Sequence, residues 1–289
     1  MSLKTKLGLV SWFVLDSFSA GCGSAPARDL HLQTSFRIEP GQERYECYRR
    51  NVEQDVFVTK IATSAAAGVH HQILAVADQT EPEGVSECSS VLLTPSVTGI
   101  SVGTGTSLQF AMPAGVAYRI PGGSQLVLQT HLFNAGDAPL ESTLTADLTG
   151  IAEADVVSFA QLVEAGSLQI DLPPGSATTV TGKCTLAKDV SVFGLLPHMH
   201  SLGTAFKAWI VNGSESTTLY DDTFFGETQQ FVSLAPVAMP KGAPLNIECD
   251  YFNGSGARVI YGSSARDEMC FGIAYYYPAI DDQGPLCLR

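Results

Sequence analysis

The chain has 289 residues, of which 45% are hydrophobic and 16% are charged. At about 100–200 residues per domain, this length accommodates one large or two modest domains, and the apolar fraction excludes a disordered chain. The low charge content excludes a coiled coil, since an average soluble protein has about 25% charged residues. The 16 Lys and Arg residues against 29 Asp and Glu residues give a net charge of −13, which argues against a nucleic-acid partner, because phosphates demand clustered cations.

The N-terminus has the layout of a secretory signal. Two lysines precede an apolar run over residues 7–20, which is shorter than the roughly 20 apolar residues that a membrane span needs. Residues 19–22, Ser-Ala-Gly-Cys, are similar to a bacterial lipoprotein box, in which the cysteine becomes the lipidated N-terminus. We therefore predict a signal over 1–21, followed either by ordinary secretion or by lipidation of Cys22 and anchoring to a membrane. A spacer is predicted over 22–44.

The body of the chain is predicted to be all β. Short runs rich in Val, Ile, Thr and aromatic residues alternate with Gly, Pro, Asn and Asp, which is typical of antiparallel sandwiches. We predict two such sandwiches with a joint near residue 152, and at most a helical turn at residues 162–165. In chain order, the predicted strands cover 55–63, 72–78, 107–113, 125–134, 142–152, 167–174, 190–200, 205–213, 230–239, 244–253, 257–264 and 270–278.

Five of the six histidines fall in three strand-like contexts. Residues two apart on a strand point to the same face, so His198 and His200 can present two imidazoles to one metal ion. His70 and His71 are adjacent and would point to opposite faces, so they can share an ion only at a β-bulge or a strand end. His131 lies in another strand of the same half and would complete a three-imidazole set.

The ligand types leave the metal open. Imidazole binds copper, zinc, iron and nickel, whereas a methionine thioether indicates Cu(I). Zinc hydrolases usually place a Glu or Asp near the histidine pair, and none stands within the His-His-Gln or His-Met-His segments. The residues alone therefore predict a protein that binds copper or zinc. The alternative is a sandwich without a metal, whose histidines are ordinary polar residues.

Four motifs in the chain resemble those of a known enzyme family. They are the His-His pair in GVHHQILAVAD, the Gln-x-His of LQTHLFN, the His-x-His of LLPHMHSLG, and Asp-Glu-Met-Cys at 267–270 ahead of an aromatic strand. In this order they resemble the motifs of the copper type II, ascorbate-dependent monooxygenases, the family of peptidylglycine α-hydroxylating monooxygenase and dopamine β-monooxygenase. The resemblance covers roughly residues 45–289, and we expect a bacterial member.

The resemblance implies two jelly-roll-like domains over 45–152 and 153–289, each with one copper ion. The first ion would store an electron, and the second would bind O₂ and hydroxylate a substrate C–H bond across a solvent cleft. Ascorbate or another one-electron reductant would reduce both ions. The implied ligands are His70, His71 and His131, with Gln129 behind them, for the first ion, and His198, His200 and Met269 for the second.

The cysteines are consistent with an oxidising compartment. Removing Cys22 from the seven leaves an even number, which suits a disulfide framework in a secreted protein or at a bacterial cell envelope. The family pattern implies the pairs Cys249–Cys270 and Cys184–Cys287, and Cys47 then pairs with Cys88. A cysteine that usually closes the His-His strand in the family is absent, because Ala75-Val76-Ala77 stands there.

The substrate-binding positions depart from the peptide-hydroxylating branch of the family. In that branch an Arg before the His-x-His motif, and an Asn and a Tyr after the Met, hold the substrate carboxylate. The matching residues here are Leu196, Phe271 and Ile273, so we expect an apolar small molecule or peptide instead of a peptidylglycine. Two alternatives remain: a copper-binding envelope protein without catalysis, and a zinc hydrolase, which would leave Met269 unused.

Overall fold

The computed structural model describes residues 25–64, 66–78, 80–89, 97–104, 107–223, 230–280 and 286–288. Regular structure in these residues is almost entirely β, with a single 3-10 turn at Glu153–Asp155, so the all-β prediction is confirmed. No helix among them is long and apolar enough to cross a bilayer. The predicted signal over 1–21 and Cys22 lie outside the described residues.

The first half of the chain forms two sheets. One has the order β1-β10-β3-β8-β11, with β7 also paired to β3, and the other has the order β5-β2-β9-β4-β6. Their strands are β1 Leu30–Ile38, β2 Glu43–Asn51, β3 Val56–Thr63, β4 Val69–Ala77, β5 Gly84–Glu87, β6 Val97–Thr104, β7 Leu108–Ala111, β8 Val116–Ile120, β9 Gln125–Phe133, β10 Leu140–Ile151 and β11 Ser158–Phe159.

The second half forms two larger sheets and a small one. The larger sheets have the orders β18-β15-β21-β12-β22 and β14-β19-β16-β17, and β13 pairs with β20. The strands are β12 Gln161–Ser167, β13 Asp171–Leu172, β14 Ser176–Thr185, β15 Val190–Met199, β16 Gly203–Asn212, β17 Glu215–Asp222, β18 Val232–Met239, β19 Pro244–Asn253, β20 Val259–Ile260, β21 Cys270–Tyr277 and β22 Leu286–Leu288.

The two halves share one apolar core. Ile73 and Val102 of the first half belong to the same buried cluster as Leu162, Leu196 and Ile273 of the second. The sheets containing β4 and β21 therefore face each other, and we call these two the inner sheets. Because a continuous apolar cluster lies between them, residues at the ends of their strands are brought close together from distant parts of the sequence.

The segment predicted as a spacer is partly a strand. Residues 30–38 form β1, which pairs antiparallel with β10 from Leu30–Leu148 to Ile38–Leu140. Leu32, Phe36 and Ile38 are buried on one side of β1 and polar residues alternate with them. This two-residue alternation is the pattern of a half-buried strand, and it offsets the cost of ordering the segment.

The helical turn predicted at residues 162–165 is wrong, because these residues lie within β12. Every residue of β12 is buried, since the strand lies inside one of the inner sheets with packed layers on both faces. A strand that is buried on both faces lacks the apolar and polar alternation from which strands are predicted. The error matters for the site, because Glu164 belongs to this strand.

Candidate metal centre

Three histidines of the first half converge at the end of the β4–β9 pair. His71 lies directly opposite His131, and the register shifts between Val69 and His71. This irregularity is the bulge that the adjacent histidines require, so that expectation is confirmed. One ring nitrogen from each of His70, His71 and His131 lies within 4.8 Å of the other two. Among the described residues, this set of three imidazoles is the one group of His, Cys, Asp and Glu close enough to hold a metal ion.

The second set of predicted ligands meets where β15 ends and β21 begins. β15 pairs with β21 such that His198 is opposite Phe271, which places Met269 beside the histidine. The Nε2 atom of His198 lies 3.3 Å from the Sδ atom of Met269. The carboxylate of Glu268 accepts hydrogen bonds from the backbone N–H groups of His200, at 2.9 Å, and Leu202, at 2.7 Å. These bonds hold the turn that follows β15 against the segment that carries Met269.

Hydrogen bonds determine which ring nitrogen each histidine offers. His200 Nδ1 lies 2.8 Å from the carbonyl oxygen of Asp267, which can only accept, so Nδ1 carries the proton and Nε2 keeps its lone pair. In the same way, His131 Nε2 lies 2.9 Å from a carboxylate oxygen of Glu43 and donates its proton to it. The Nδ1 atom of His131 therefore keeps its lone pair and can bind a metal ion. Such a partner on the far nitrogen is typical of histidines that bind metals.

The free nitrogens fit a metal ion. Both ring nitrogens of His71, Nδ1 of His131 and Nε2 of His200 are buried and have no hydrogen-bond partner among the residues that the structure describes. Burial lowers the pKa of His70 and of His200 to about 4 and that of His71 well below its usual value. These imidazoles are therefore neutral at pH 7, which is the form that binds metals. Unpaired buried polar atoms are costly, and a bound cation would satisfy them.

The two ligand sets adjoin each other. The ring centroids of His70 and His200 are 5.1 Å apart, and those of His71 and His198 are 6.3 Å apart. The family resemblance implies two ions on either side of a solvent cleft. In the structure the two ligand sets instead lie next to each other. Because the inner sheets pack through a shared apolar cluster, the strand ends that carry the histidines are in contact.

A narrow cavity beside the histidines, between the inner sheets, has a free volume of about 10 Å³, which is room for about one water molecule. Phe271 and Ile273, two of the predicted substrate-binding residues, line it, whereas Leu196 is buried in the apolar cluster and does not. The sequence prediction missed Glu164, whose burial raises the pKa of its carboxyl to about 7. The lining residues are His71, Ile73, Val102, Glu164, His198, Phe271 and Ile273.

Gln129 does not support the histidines directly. Its Nε2 donates to the carbonyl oxygen of Ser89 at 2.7 Å and lies against the sulfurs of the Cys47–Cys88 disulfide. Within the described part of the chain its hydrogen bonds thus secure this disulfide, and none reaches His131. The reason is that Gln129 lies opposite Cys47 on the neighbouring strand.

The six cysteines of the body form three disulfides. Cys47–Cys88 joins β2 to the segment after β5, Cys184–Cys287 joins β14 to β22, and Cys249–Cys270 joins β19 to β21. Two of these pairs, Cys184–Cys287 and Cys249–Cys270, are those that the family pattern implies, and Cys47–Cys88 is the pair predicted from the two remaining cysteines. The last bond anchors the first residue of β21, directly after Met269.

The sequence is similar to that of several known proteins. Residues 155–288 match the family model described as copper type II ascorbate-dependent monooxygenase, C-terminal domain. A relative from Homo sapiens, "Putative DBH-like monooxygenase protein 2", is 27% identical over 77% of this chain and 49% of its own length. "DBH-like monooxygenase protein 1" from Gallus gallus is 34% identical over 42% of this chain and 23% of its own.

The second half of the chain is therefore similar to the C-terminal domain of the copper type II monooxygenases. The chain spans about half the length, or less, of the two curated relatives that it matches. Among solved structures, the crystal structure of the STIV MCP has a TM-score of 0.37 and 8% identity, covering 88% of this chain and 97% of that chain. A similarity at this level carries no argument about function.

Proposed function

We propose that the protein is a copper type II, ascorbate-dependent monooxygenase that hydroxylates a C–H bond of a small substrate. One copper ion would be held by His70, His71 and His131, and a second by His198, His200 and Met269. The proposal rests on the buried nitrogens of His71, His131 and His200, which have no hydrogen-bond partner among the described residues, together with the contact between His198 and the sulfur of Met269. Zinc would have no use for this thioether, whereas copper in its reduced form binds it well.

Bound copper would supply the electron transfer and the oxygen chemistry, with ascorbate or another one-electron donor as reductant. The chain orients the ligands: Asp267 and Glu43 fix the tautomers of His200 and His131. His71, His131, His198 and His200 are almost completely buried, and such shielding from water protects a reactive site from side reactions.

The cavity indicates the class of substrate. Its wall is mostly apolar, and its free volume of about 10 Å³ admits only a small part of a substrate. Glu164 is the one carboxyl in that wall, and near its pKa of about 7 it can donate or accept a hydrogen bond. We therefore propose a largely apolar substrate with one polar group at this position, which extends the purely apolar substrate predicted from the sequence.

The same proposal includes a location outside the cytoplasm. Three disulfides are typical of secreted proteins and of the bacterial envelope. We propose that a signal over 1–21 directs export and that Cys22, if lipidated, anchors the protein to a membrane. Treatment of the purified envelope fraction with a lipase, followed by mass spectrometry of the N-terminal peptide, tests the anchor.

A copper-binding envelope protein without catalysis is the second candidate. It is favoured by the small cavity and by the apolar residues Phe271 and Ile273 at positions where the peptide-hydroxylating branch holds its substrate. Both functions predict copper binding, so they are separated by turnover rather than by metal content.

The deciding experiment is metal analysis followed by oxygen uptake. The purified protein is loaded with Cu(II), its copper content is measured, and ascorbate and O₂ consumption are followed with a panel of small aromatic and aliphatic amines and alcohols. We expect two copper ions per chain and oxygen uptake coupled to a hydroxylated product. Copper binding without coupled uptake on any substrate would favour the second candidate, and one zinc with no copper would refute both.

A further inference from the structure

Two residues of β2 contact both the first ligand set and the segment that leads into Met269. Glu43 and Tyr45 are two apart on the strand, so their side chains share one face. One oxygen of Glu43 accepts from His131 Nε2 at 2.9 Å and from the backbone N–H of Ala265 at 3.0 Å. The ring of Tyr45 stacks on His131, with centroids 4.2 Å apart and an interplanar angle of 7°, and its hydroxyl donates to the Ser263 carbonyl at 2.7 Å.

The partner of β2 in these contacts is residues 263–268, which we call the Met269 loop because they lead into that residue. At its far end, Asp267 accepts from His200 Nδ1, and Glu268 accepts from the backbone of His200 and Leu202. The near end of the loop thus touches the first ligand set through β2, and the far end holds the second set.

Hydrogen bonds within the Met269 loop and to the residue before it connect its two ends. Asp267 N–H donates to the Ser264 carbonyl at 3.0 Å, and Ser264 N–H donates to the Asp267 side chain at 3.3 Å. Gly262 N–H donates to the carbonyl of Glu268 at 3.3 Å. A side chain at position 262 would collide with Asp267, since an added Cβ would lie 2.1 Å from its Oδ2. A displacement at Ala265 is therefore transmitted to Asp267 and Glu268.

We propose that Glu43 and Tyr45 are positioning residues that couple the two metal sets through the Met269 loop. Their contacts make the placement of His200 and Met269 depend on residues that touch the first set and the Met269 loop. The inference rests on the proposed function for the identity of the metal, and on the contacts above for the coupling. Its consequence is that a change at Glu43 alters the second set through the Met269 loop.

Glu43 offers a graded set of variants. Glu43 also accepts a hydrogen bond from Ser264 Oγ at 3.3 Å, so Glu43→Ala removes three bonds in all. Glu43→Gln retains an oxygen for His131 and Ala265, and its amide can donate to Ser264 Oγ. Tyr45→Phe keeps the ring against His131 but removes the bond to Ser263. Glu46→Ala is the matched control, because its carboxylate is on the same strand and bonds to the Arg44 side chain instead.

The first measurement uses the metal-free protein and hydrogen–deuterium exchange. In E43A we expect the amides of His200 and Leu202 to exchange at least about tenfold faster, with a smaller increase in Y45F. E43Q and E46A should stay within about twofold of wild type. Unchanged exchange at Leu202 in E43A would overturn the coupling.

The second measurement is X-ray absorption of the Cu(I)-loaded protein. We expect the copper–sulfur contribution of Met269 to fall by about half or more in E43A and to be retained in E43Q. Loss of the sulfur contribution in E46A as well would overturn the assignment to Glu43. A wild-type protein that binds no copper would defeat the proposed function, while the exchange measurement would still decide whether β2 positions the Met269 loop.

Discussion

Met269 is the residue on which the choice of copper depends. Its sulfur lies against His198 Nε2, and its side chain is almost completely buried. Met269→Ile preserves the apolar bulk and removes the thioether. We expect this variant to lose hydroxylation while the set of His70, His71 and His131 still binds copper.

The measurement is copper content together with product formation for M269I, and His198→Ala serves as a second variant of the same set. Both should bind about one copper ion per chain. Wild-type activity in M269I would show that the sulfur is not a ligand needed for the reaction.

Glu164 makes the stability of the metal-free protein depend on pH. An unfolded glutamate has a pKa near 4.5, and burial raises the folded value to about 7. Between these values the folded state holds a proton that the unfolded state has released, so stability falls as the pH rises through this window. Each unit of pKa difference corresponds to about 1.4 kcal/mol, so above pH 7 the free energy of unfolding is lower by about 3 kcal/mol than below pH 4.5.

Glu164→Gln removes this contribution. Between pH 5 and pH 8 we expect the free energy of unfolding to fall less in E164Q than in wild type. The measurement is urea unfolding of both proteins after the metal has been removed with a chelator. Burial also raises the pKa of Glu268 to about 7. Its contribution to the pH dependence is the same in both proteins and cancels in the difference between them. Glu215→Gln, on the exposed side of β17, should follow wild type; an equal pH dependence in E164Q would show that Glu164 is solvated.

At the scale of elements, close approach of strands determines where the second ligand set lies. Gly166 of β12 packs against β21, where an added Cβ would lie 2.3 Å from the Phe271 ring and 2.5 Å from the Cys270 carbonyl oxygen. Gly166→Ala should therefore destabilise the protein by about 1–3 kcal/mol, the usual range for overpacking. Because β21 begins directly after Met269, copper affinity of the second set should fall as well.

Thermal unfolding and copper titration of G166A provide the test. Gly256→Ala is the control, since nothing lies within 4 Å of a Cβ added there and the residue has no left-handed backbone conformation. If G166A unfolds at the same temperature as G256A, then β12 and β21 can separate without cost and do not fix the second set.

Strands rich in β-branched and long apolar residues were predicted whether one face is buried, as in β10, or both, as in β9 and β15. β14 alternates as clearly as β10 in its burial pattern, but it was missed because most of its residues are small or polar. β12 lacks alternation because it is buried on both faces, and β1 was assigned to a spacer because its apolar residues are few. Ligand spacing within a strand was readable from the sequence, since it depends only on strand geometry.

At the scale of the whole molecule, the distance between the ligand sets was not predictable. Strand periodicity specifies which residues share a face, but it does not specify how two sandwiches pack. The same limit explains why Glu164 escaped attention: it enters the cavity only because the inner sheets meet there. The disulfides, in contrast, followed from the family pattern.

The proximity of the sets should be visible in magnetic spectra. Because His70 and His200 are in contact, two Cu(II) ions held by these sets would lie close enough for strong dipolar interaction. We expect broadened electron paramagnetic resonance lines for the fully loaded protein and sharp lines for H198A and for His131→Ala. A wild-type spectrum equal to the sum of the two single-set spectra would mean that the ions are far apart in solution.

The pairing of β1 with β10 has a practical consequence for handling the protein. β1 covers the whole edge of its sheet from Leu30 to Ile38, in nine consecutive residue pairs. Proteolytic clipping after position 38 would leave a long strand with unsatisfied amide and carbonyl groups and a newly bared apolar row, the usual template for intermolecular pairing. Preparations that lose these residues would accordingly precipitate or form aggregates, even with the copper ligands intact.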